Sequence, residues 1–496
     1  MYLILLSILF PILSGVFLLI RFRTPLNGEP KSDRKTLVIF TGSFLVITAL
    51  LTLTTLLTVT ESFTPFYLTE TLPVTFAIDK TGVFFSLLAV IVMLCAGFFS
   101  FEYMKHEDRE NRYYGFYLLV FGVLNALCFA GNLITFYLFF ELLTLSSMPL
   151  VLHNGSKEAV MAGLKYLFYS LCGAYGALYG IYFICRNSTT LTFTAGGVLD
   201  PSAVAESGSF LLFVAFVMIL GFGVKAGMFP MHAWLPTAHP VAPAPASAVL
   251  SAMIVKAGAL AIIRVVYYIF GADFLRGSWM QTAWICLTLI TVFMGSMLAY
   301  REPVLKKRLA YSTVSQLSYI LFGLAVMDDV SLTGSLLHVL AHGLIKAALF
   351  LCAGAIIYTT GKTRVEELRG IGKEMPLTIW CYTIVSLGLI GIPPTGGFIS
   401  KWYLAVGSLK SGLPVLDVLG PVILLVSALL TAGYLLPLTI HGFFPGADYD
   451  YGKLQKQEPP KWMTVPILIL TILSVLIGLF PNLITDYLTV IVSAVL

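Results

Sequence analysis

Long apolar runs recur along the whole chain, and each is long enough to cross a membrane as one helix. A hydrocarbon core about 30 Å thick needs roughly 20 apolar residues per helical span. The runs are continuous rather than alternating, which excludes a membrane β-barrel. We therefore predict an all-α polytopic membrane protein in which residues 1–496 form a single membrane domain. The predicted spans, about fourteen, lie near 1–21, 36–60, 79–101, 113–130, 132–152, 161–186, 207–229, 245–270, 280–300, 308–327, 332–359, 376–409, 416–441 and 463–485.

Composition and cysteine usage narrow the possible functions. Only 11% of the residues are charged and 58% are hydrophobic, whereas about a quarter of an average soluble domain is charged. The net charge of +5 is spread over loops and forms no basic tract, so we expect no nucleic-acid partner. The seven cysteines are scattered singly, without CxxC spacing. We therefore expect no iron–sulfur cluster, structural zinc or other cofactor in this chain.

The distribution of loop charge predicts the topology. One set of alternate loops holds most of the 30 Lys and Arg residues, and such loops face the cytoplasm. Both termini then lie outside, which requires an even number of spans, and we expect the chain in the inner (plasma) membrane of the cell. The basic segments are 21–35, 105–112, 157–165, 301–308, 362–373 and 453–461, whereas the opposite loops hold only Arg276, Lys410 and the borderline Arg186.

Several ionisable residues remain inside the predicted spans. An ionised group at the bilayer centre costs about 2.5–3.5 kcal/mol on insertion scales, so each must be paired, hydrated or neutral. One deep acid combined with bases on several helices is typical of a proton or ion relay. The alternatives are a structural ion pair, a lysine that reaches the interface, or a hydrogen-bonded core histidine; we assign Arg264 a structural, interfacial role. The relay candidates are Glu141, Lys225, Lys256, His338, His342, Lys346 and Lys401.

A polar stripe is predicted on the eleventh span. In HVLAHGLIKAALF, His338, His342 and Lys346 recur at every fourth position, so they lie on one helical face over about 12 Å at about 1.5 Å per residue. Two histidines at this spacing could bind a metal ion. HVLAH lacks the glutamate of an HExxH site, however, and no further ligand is evident, so we expect no metal.

Two spans should be broken beside a lysine. Lys225 lies in LGFGVKAGMFPMHAWLP, where Pro230 and Pro236 are expected to stop the seventh span. Lys401 follows a second break in the twelfth span, at Pro393, Pro394, Gly396 and Gly397. Such a break leaves backbone groups that need buried partners or water.

The two broken spans are five spans apart, and broken helices at matching positions indicate inverted repeats. An odd offset makes the two units antiparallel in the membrane. We therefore predict one repeat of spans four to eight and a second of spans nine to thirteen. Their boundaries are 113–270 and 280–441, with flanking helices in 1–101 and 463–496.

Four long motifs resemble those of a known family. GFGVKAGMFPMHAWLPTAHPVAPAPASAVLSAMIVKAG, LKKRLAYSTVSQLSYI, HVLAHGLIKAALFLCAGAIIY and GIPPTGGFISKW occur in the order typical of the antiporter-like subunits of respiratory complex I and of Mrp-type cation/proton antiporters. The resemblance covers roughly residues 75–440. It implies fourteen helices with two five-helix inverted repeats.

The resemblance also implies roles for individual residues. Glu141 and Lys225 match a glutamate–lysine pair whose members modulate each other's proton affinity, and Lys256 matches the central lysine of the eighth helix. His338 and His342 match linker positions, and Lys401 matches the terminal residue of the relay. A lysine at that last position argues against the M-type subunit of complex I and is compatible with N-type, L-type and Mrp D-type subunits. The short C-terminal segment argues against the L-type and Mrp A-type.

Three functions follow from these observations. In the first, the chain moves protons within a redox-driven complex, either a complex I-type dehydrogenase or a membrane-bound hydrogenase, with no redox chemistry of its own. In the second, it is the D-type subunit of a multisubunit Mrp Na⁺/H⁺ antiporter without a redox partner. In the third, it is a structural scaffold, which the distributed bases disfavour. The first two imply paralogous membrane subunits as partners, the first a peripheral redox arm, and H⁺ or Na⁺ as the transported ion.

Overall fold

The computed structural model describes residues 2–22, 34–447, 449–450 and 456–496. Of the basic loop residues used to predict the topology, Arg23, Lys31 and Lys453 lie outside these ranges. The described chain is built almost entirely of helices, which confirms the predicted all-α membrane class. Twelve of its helices are long and apolar enough to cross a membrane.

The described residues of the first half of the chain form eleven α-helices. They are α1 (Tyr2–Arg21), α2 (Arg34–Thr58), α3 (Lys80–Tyr103), α4 (Glu110–Cys128), α5 (Leu133–Val151), α6 (Lys157–Asn187), α7 (Pro201–Gly223), α8 (Leu235–Val241), α9 (Ala244–Val249), α10 (Val255–Ile263) and α11 (Ala272–Leu275). Two π-helical segments, Leu250–Ile254 and Arg264–Phe270, join α9 and α10 into one continuous span and extend it.

Nine further helices complete the described chain. They are α12 (Trp279–Arg301), α13 (Leu305–Val326), α14 (Asp329–Thr360), α15 (Ile371–Glu374), α16 (Pro376–Ile390), α17 (Gly396–Lys410), α18 (Leu416–Phe443), α19 (Lys461–Leu479) and α20 (Asn482–Val495). Two of the fourteen predicted spans, 113–130 and 376–409, have no counterpart among these twelve long helices. Helix α4 occupies the first of these positions, and the pair α16–α17 occupies the second.

The core is formed by the helices that carry the ionisable residues. Every residue from Ala244 to Phe270 is buried, and α13 and α14 are buried along nearly their whole length. Helices α1, α2 and α18 expose many apolar side chains instead. The polar positions of the sequence therefore lie in the interior of the bundle, while an apolar shell faces outward.

Loop contacts gather the alternate basic loops at one end of the bundle. Arg34 pairs with Glu110 at 2.8 Å, and Tyr358 donates a hydrogen bond to Glu102. At the other end, Arg276 donates to the carbonyl of Met327. This sorting agrees with the predicted alternation; the membrane side that each end faces stays a prediction.

The seventh span breaks earlier than predicted. Helix α7 ends at Gly223 rather than near residue 229, and neither Pro230 nor Pro236 stops it. The break begins where glycines dominate, and Gly227 has a φ of +70°, which a helix does not accommodate and which glycine tolerates. Pro236 instead lies in the first turn of α8, where proline costs no hydrogen bond.

The second break lies where it was predicted. Helix α16 ends at Ile390 and α17 begins at Gly396, with Pro393 and Pro394 between them. Gly397 lets the two halves approach, because a Cβ atom there would lie 1.8 Å from the carbonyl oxygen of Gly388. The inverted-repeat relation between the two broken units stays a prediction.

Two elements differ from the prediction. An antiparallel hairpin of β1 (Phe63–Thr69) and β2 (Leu72–Phe76) lies between α2 and α3. Its Thr, Phe and Val residues favour strands, although the segment shows no strict alternation. The last predicted span, 463–485, is in fact α19 followed by the separate helix α20, because Pro481 interrupts the helix.

Candidate functional site

The relay candidates converge on the buried centre of the bundle. Five of them, Lys225, Lys256, His338, His342 and Lys346, are at most 1% exposed, whereas Glu141 and Lys401 are half-buried. In the described part of the chain, none of the four lysines forms an ion pair with a carboxylate. Their ammonium groups are held by neutral oxygens, which is the property that distinguishes this site.

Lys225 lies in the irregular stretch between α7 and α8. Its Nζ donates to the carbonyl oxygen of Phe140 at 2.7 Å and to Oγ1 of Thr144 at 2.8 Å. The ammonium also lies 3.9 Å from the centroid of the Phe140 ring, a cation–π geometry. Because positions 140 and 144 are one helical turn apart, Lys225 binds a single face of α5.

Among the described residues, Glu141 forms no direct ion pair with Lys225. It follows Phe140 on α5 and is turned toward the outer flank of the helix, where Leu138, Leu142 and Leu145 are exposed. One carboxylate oxygen, Oε1, is buried and has no hydrogen-bond partner in the described ranges. The two groups remain within electrostatic range of each other, so the interaction between them is indirect rather than a contact.

Lys256 lies two residues after the π-helical segment Leu250–Ile254. Its Nζ donates to the carbonyl oxygen of Ser251 at 2.8 Å, and the Ser251 hydroxyl lies 2.8 Å from Oγ1 of Thr313. A π-helical segment displaces the regular i→i−4 hydrogen bonds, which leaves this carbonyl accessible to the ammonium. Gly258 brings the same helix against the Lys225 break, because a Cβ atom on it would lie 2.6 Å from the nitrogen of Ala226.

The predicted stripe on α14 is present. The rings of His338 and His342 are nearly parallel, with centroids 5.8 Å apart. His338 Nδ1 lies 2.9 Å from Oγ of Ser400, and Nε2 lies 3.1 Å from Oε1 of Gln316. Within the described part of the chain, neither ring nitrogen of His342 has a hydrogen-bond partner. A partner would therefore have to be water or a mobile side chain.

Lys346 completes the stripe one turn after His342. Its Nζ donates to the carbonyl oxygen of Leu309 at 2.9 Å and to Oγ of Ser312 at 2.7 Å. His342 is within electrostatic range of Lys256, Lys346 and Lys401. The stripe thus lies between Lys256 in α10 and Lys401 in α17.

Lys401 binds the end of the broken helix before it. Its Nζ donates to the carbonyl oxygens of Leu389 at 2.6 Å and Ile390 at 3.1 Å, the last residues of α16. The break should leave backbone carbonyls that need hydrogen-bond donors. For Leu389 and Ile390, the Lys401 ammonium is that donor. A cation at a helix C-terminus is favoured by the helix dipole. The centroid of the Tyr319 ring lies 4.8 Å from this ammonium and 5.5 Å from the centroid of the His338 ring.

Helix α13 supplies polar partners for the buried bases that the sequence analysis did not identify. Ser312, Gln316 and Tyr319 all face the site, and Tyr434 donates a hydrogen bond to Ser312 at 2.9 Å. Their spacing within LKKRLAYSTVSQLSYI follows one helical face, a signal that attention to ionisable residues alone does not detect.

Two predicted structural assignments have different outcomes. Arg264 has a structural role, because its guanidinium makes two hydrogen bonds to the carboxylate of Asp79, the N-cap of α3, and its side chain is buried in the protein; its interfacial depth in the membrane stays a prediction. Lys306, grouped above with the loop charges, is 6% exposed. It lies at the start of α13 and points into the bundle.

Comparisons with known proteins agree with this architecture. The family model described as "NADH:quinone oxidoreductase/Mrp antiporter, TM" matches residues 130–431, and the model "NADH-Ubiquinone oxidoreductase (complex I), chain 5 N-terminus" matches residues 69–114. Among solved structures, the Mrp complex from Dietzia sp. contains a chain with a TM-score of 0.84 and 21% identity, covering 100% of this chain and 98% of that one. Respiratory complex I from Thermus thermophilus gives a TM-score of 0.80 at 23% identity, covering 99% and 98%.

Sequence relatives fall into several named groups. The N subunit of the NADH-quinone oxidoreductase of Desulforudis audaxviator is 34% identical over 75% of this chain and 75% of its own length. The D-type subunit of the Na⁺/H⁺ antiporter of Bacillus subtilis is 31% identical over 83% and 81%. Hydrogenase-4 component B of Escherichia coli is 33% identical over 82% of this chain, but the match spans only 62% of that longer protein. The chain therefore belongs to the NADH:quinone oxidoreductase/Mrp antiporter family of antiporter-like membrane subunits.

Proposed function

We propose that this chain translocates protons within a multisubunit membrane complex through Glu141, Lys225, Lys256, His342, Lys346, His338 and Lys401. The observation that carries the proposal is the set of buried lysines without acidic partners, arranged between two broken helices. A permanently paired lysine would serve as a structural cation. One held by carbonyls and hydroxyls can lose its proton without leaving an uncompensated carboxylate behind.

Repulsion between like charges supplies the driving step. Burial disfavours the charged form of any lysine, and a second ammonium nearby disfavours it further. Lys256 lies within electrostatic range of Lys346. A proton that arrives on one therefore favours release from the other, and the charge advances without a large movement of the backbone.

The histidines connect Lys346 with Lys401. A neutral imidazole both donates and accepts a hydrogen bond, so it can pass a proton from one ring nitrogen to the other. His338 has a polar partner on each nitrogen, and one of them is Ser400, the neighbour of Lys401. His342 has an unpartnered ring between Lys346 and His338, which is the place where a water molecule would complete the path.

Glu141 is placed to respond to a neighbouring subunit. Its helix exposes an apolar flank, and its own carboxylate lies near that flank. The solved relatives are parts of the Mrp complex and of respiratory complex I, so we infer paralogous membrane subunits as partners here. A change of charge at Glu141 would alter the electrostatic stabilisation of the Lys225 ammonium and start the transfer.

Two parent complexes fit this proposal. The first is a redox-driven complex of the complex I or hydrogenase type, and the second is an Mrp Na⁺/H⁺ antiporter in which this chain is the D-type subunit. The N-type oxidoreductase relative and the D-type antiporter relative match with similar identity and coverage. Proton movement started by an electron donor and absent without it would identify the first; movement started by a Na⁺ gradient alone would identify the second.

We also propose that the chain lies in the plasma membrane with its basic loops in the cytoplasm and both termini outside. Labelling of single cysteines introduced at 362–374 by a membrane-impermeant reagent tests this. Labelling in inverted vesicles alone is expected, and labelling in intact cells would contradict it.

The relay is tested with two variants, Glu141→Gln and Lys225→Ala. Both should abolish proton uptake into inverted vesicles while native gels show an assembled complex, because an intramembrane proton path fails when one carrier is lost. The matched controls are Glu158→Gln and Lys410→Ala, which remove exposed charges of the same kind. Uptake above half of the wild-type rate in either relay variant would contradict the assignment.

A further inference from the structure

We propose that protons enter the relay from the basic-loop end of the bundle along Glu107, Lys306 and His239, which deliver them to Lys346. This inference rests on the proposed proton relay and adds a route that connects it with the aqueous phase. It uses two buried ionisable side chains that the relay itself does not use.

The first of these is Lys306, one of the most buried charges at this end. Its Nζ donates to the carbonyl oxygen of Pro240 at 3.1 Å and also to that of Ala242. These carbonyls lie where α8 ends, so they lack helical partners. Its neighbour Lys307 differs in burial and in partner, because it is partly exposed and pairs with Glu302 at 2.8 Å. Lys307 therefore lies at the surface in an ion pair, whereas Lys306 points into the bundle.

The second is His239, which is fully buried on α8. Among the residues that the structure describes, neither of its ring nitrogens has a hydrogen-bond partner, although burial of an unpaired imidazole is unfavourable. The ring stacks on Phe350, with centroids 4.7 Å apart. Phe350 lies one turn after Lys346 on α14, so the imidazole is adjacent to the face that carries Lys346.

The charged groups around His239 define the direction of the route. Lys306 and Lys346 are both within electrostatic range of the ring, one toward the loops and the other toward the centre. Helix α13 carries Lys306 and, one and two turns later, the two partners of Lys346, Leu309 and Ser312. The distance from the level of Lys306 to that of Ser312 is about 9 Å at about 1.5 Å per residue, which one imidazole and one or two waters can bridge.

Glu107 forms the mouth of the route. It lies in the loop between α3 and α4, is half-buried, and is within electrostatic range of Lys306. Burial, together with the charge of Asp108, raises the pKa of Glu107 above its ordinary range, against the opposing effect of Lys306 and His106. A carboxyl group of this kind accepts protons closer to neutral pH than a free surface acid does.

A structural role for Lys306 explains its contacts with the α8 carbonyls but not the unpaired nitrogens of His239. Lys306 could serve merely as a cap for the end of α8, since lysines often bind terminal carbonyls. That role leaves the two free nitrogens of His239 unexplained. A hydrated path explains both, because water between Lys306, His239 and Lys346 would satisfy the imidazole.

The test uses the whole complex in vesicles with the variants His239→Ala and Lys306→Arg. His239→Ala should slow proton movement by about 10²-fold, the low end of what a positioned proton-transfer group contributes. Imidazole added on the basic-loop side should restore the rate, because it fits the cavity left by the side chain. Lys306→Arg keeps the charge and the cap but does not release a proton at physiological pH, so it should slow transport comparably.

The matched controls are His441→Ala and Lys307→Arg, both at partly or fully exposed positions of the same end, and both should keep the wild-type rate. Wild-type transport in His239→Ala, or a loss that imidazole does not restore in an assembled complex, would overturn the route. Wild-type transport in Lys306→Arg would reduce Lys306 to a helix cap and also overturn it. If Lys256→Ala transports normally as well, the relay itself fails; if only the entry variants transport normally, the relay stands and the entry route fails.

Discussion

At the scale of single residues, the site depends on ammonium groups that bind neutral oxygens. The identities of Lys225, Lys256, Lys346 and Lys401 could be read from the sequence, because a charge inside an apolar run is conspicuous. Their partners could not, since carbonyl oxygens have no sequence signature and become available only where a helix is broken or locally rewound. The electrostatic interaction between Glu141 and Lys225 stays a prediction, and the distance between the two groups depends on the rotation of α5, which the apolar run does not reveal.

One residue outside the membrane spans predicts a pH effect on stability. Burial of His153 after the end of α5 lowers its pKa to about 4 from 6.5, assisted by Arg112 and Arg109 and opposed by its hydrogen bond with the carbonyl of Asp108. Between these values the unfolded chain binds more protons than the folded one, so stability falls as the pH falls from 6.5 toward 4. Thermal unfolding of the purified complex should show this loss, and His153→Gln should weaken it. An unchanged pH dependence in the variant would contradict the assignment.

At the scale of elements, helix positions were predictable and helix irregularities were only partly so. The break around Pro393 and Pro394 was predictable because two prolines cannot continue a helix. The end of α7 was not, because a run of glycines weakens a helix without fixing the residue at which it stops. The π-helical segments and the hairpin between α2 and α3 depend on packing against neighbours, which no local pattern contains.

The close contact between α10 and the Lys225 break gives a prediction at this scale. Gly258→Ala would place a Cβ atom 2.6 Å from the nitrogen of Ala226 and 3.0 Å from the carbonyl oxygen of Phe222. Backbone atoms must then move, which costs roughly 1–3 kcal/mol, more than the alanine gains in helix propensity. Thermal unfolding in detergent should therefore occur at a lower temperature than in the wild type. The control is Gly208→Ala, where the nearest neighbouring atom belongs to the ring of Phe274, at 3.9 Å; equal unfolding temperatures would refute the tight contact.

At the scale of the whole molecule, the fold places an apolar shell around a polar interior. The sequence predicted the membrane class and the motifs that resemble the family, and the comparisons confirm the family; of about fourteen predicted spans, the described residues show twelve long apolar helices. It did not predict that Lys306 and His239 lie inside, because loop position and a short helix are usually signs of exposure. Inside this shell, we propose, the buried bases carry protons instead of holding helices together.

Proton transfer by a buried base is tested most directly by a comparison of Lys401→Arg with Lys401→Ala in the assembled complex. Lys401 binds the carbonyls that end α16, and arginine can make the same contacts and keep the charge. It does not release its proton at physiological pH, however. Proton uptake into inverted vesicles, with assembly checked on native gels, should be as low for Lys401→Arg as for Lys401→Ala. A near-wild-type rate for the arginine variant would contradict proton transfer through Lys401 and leave this residue as a structural cap.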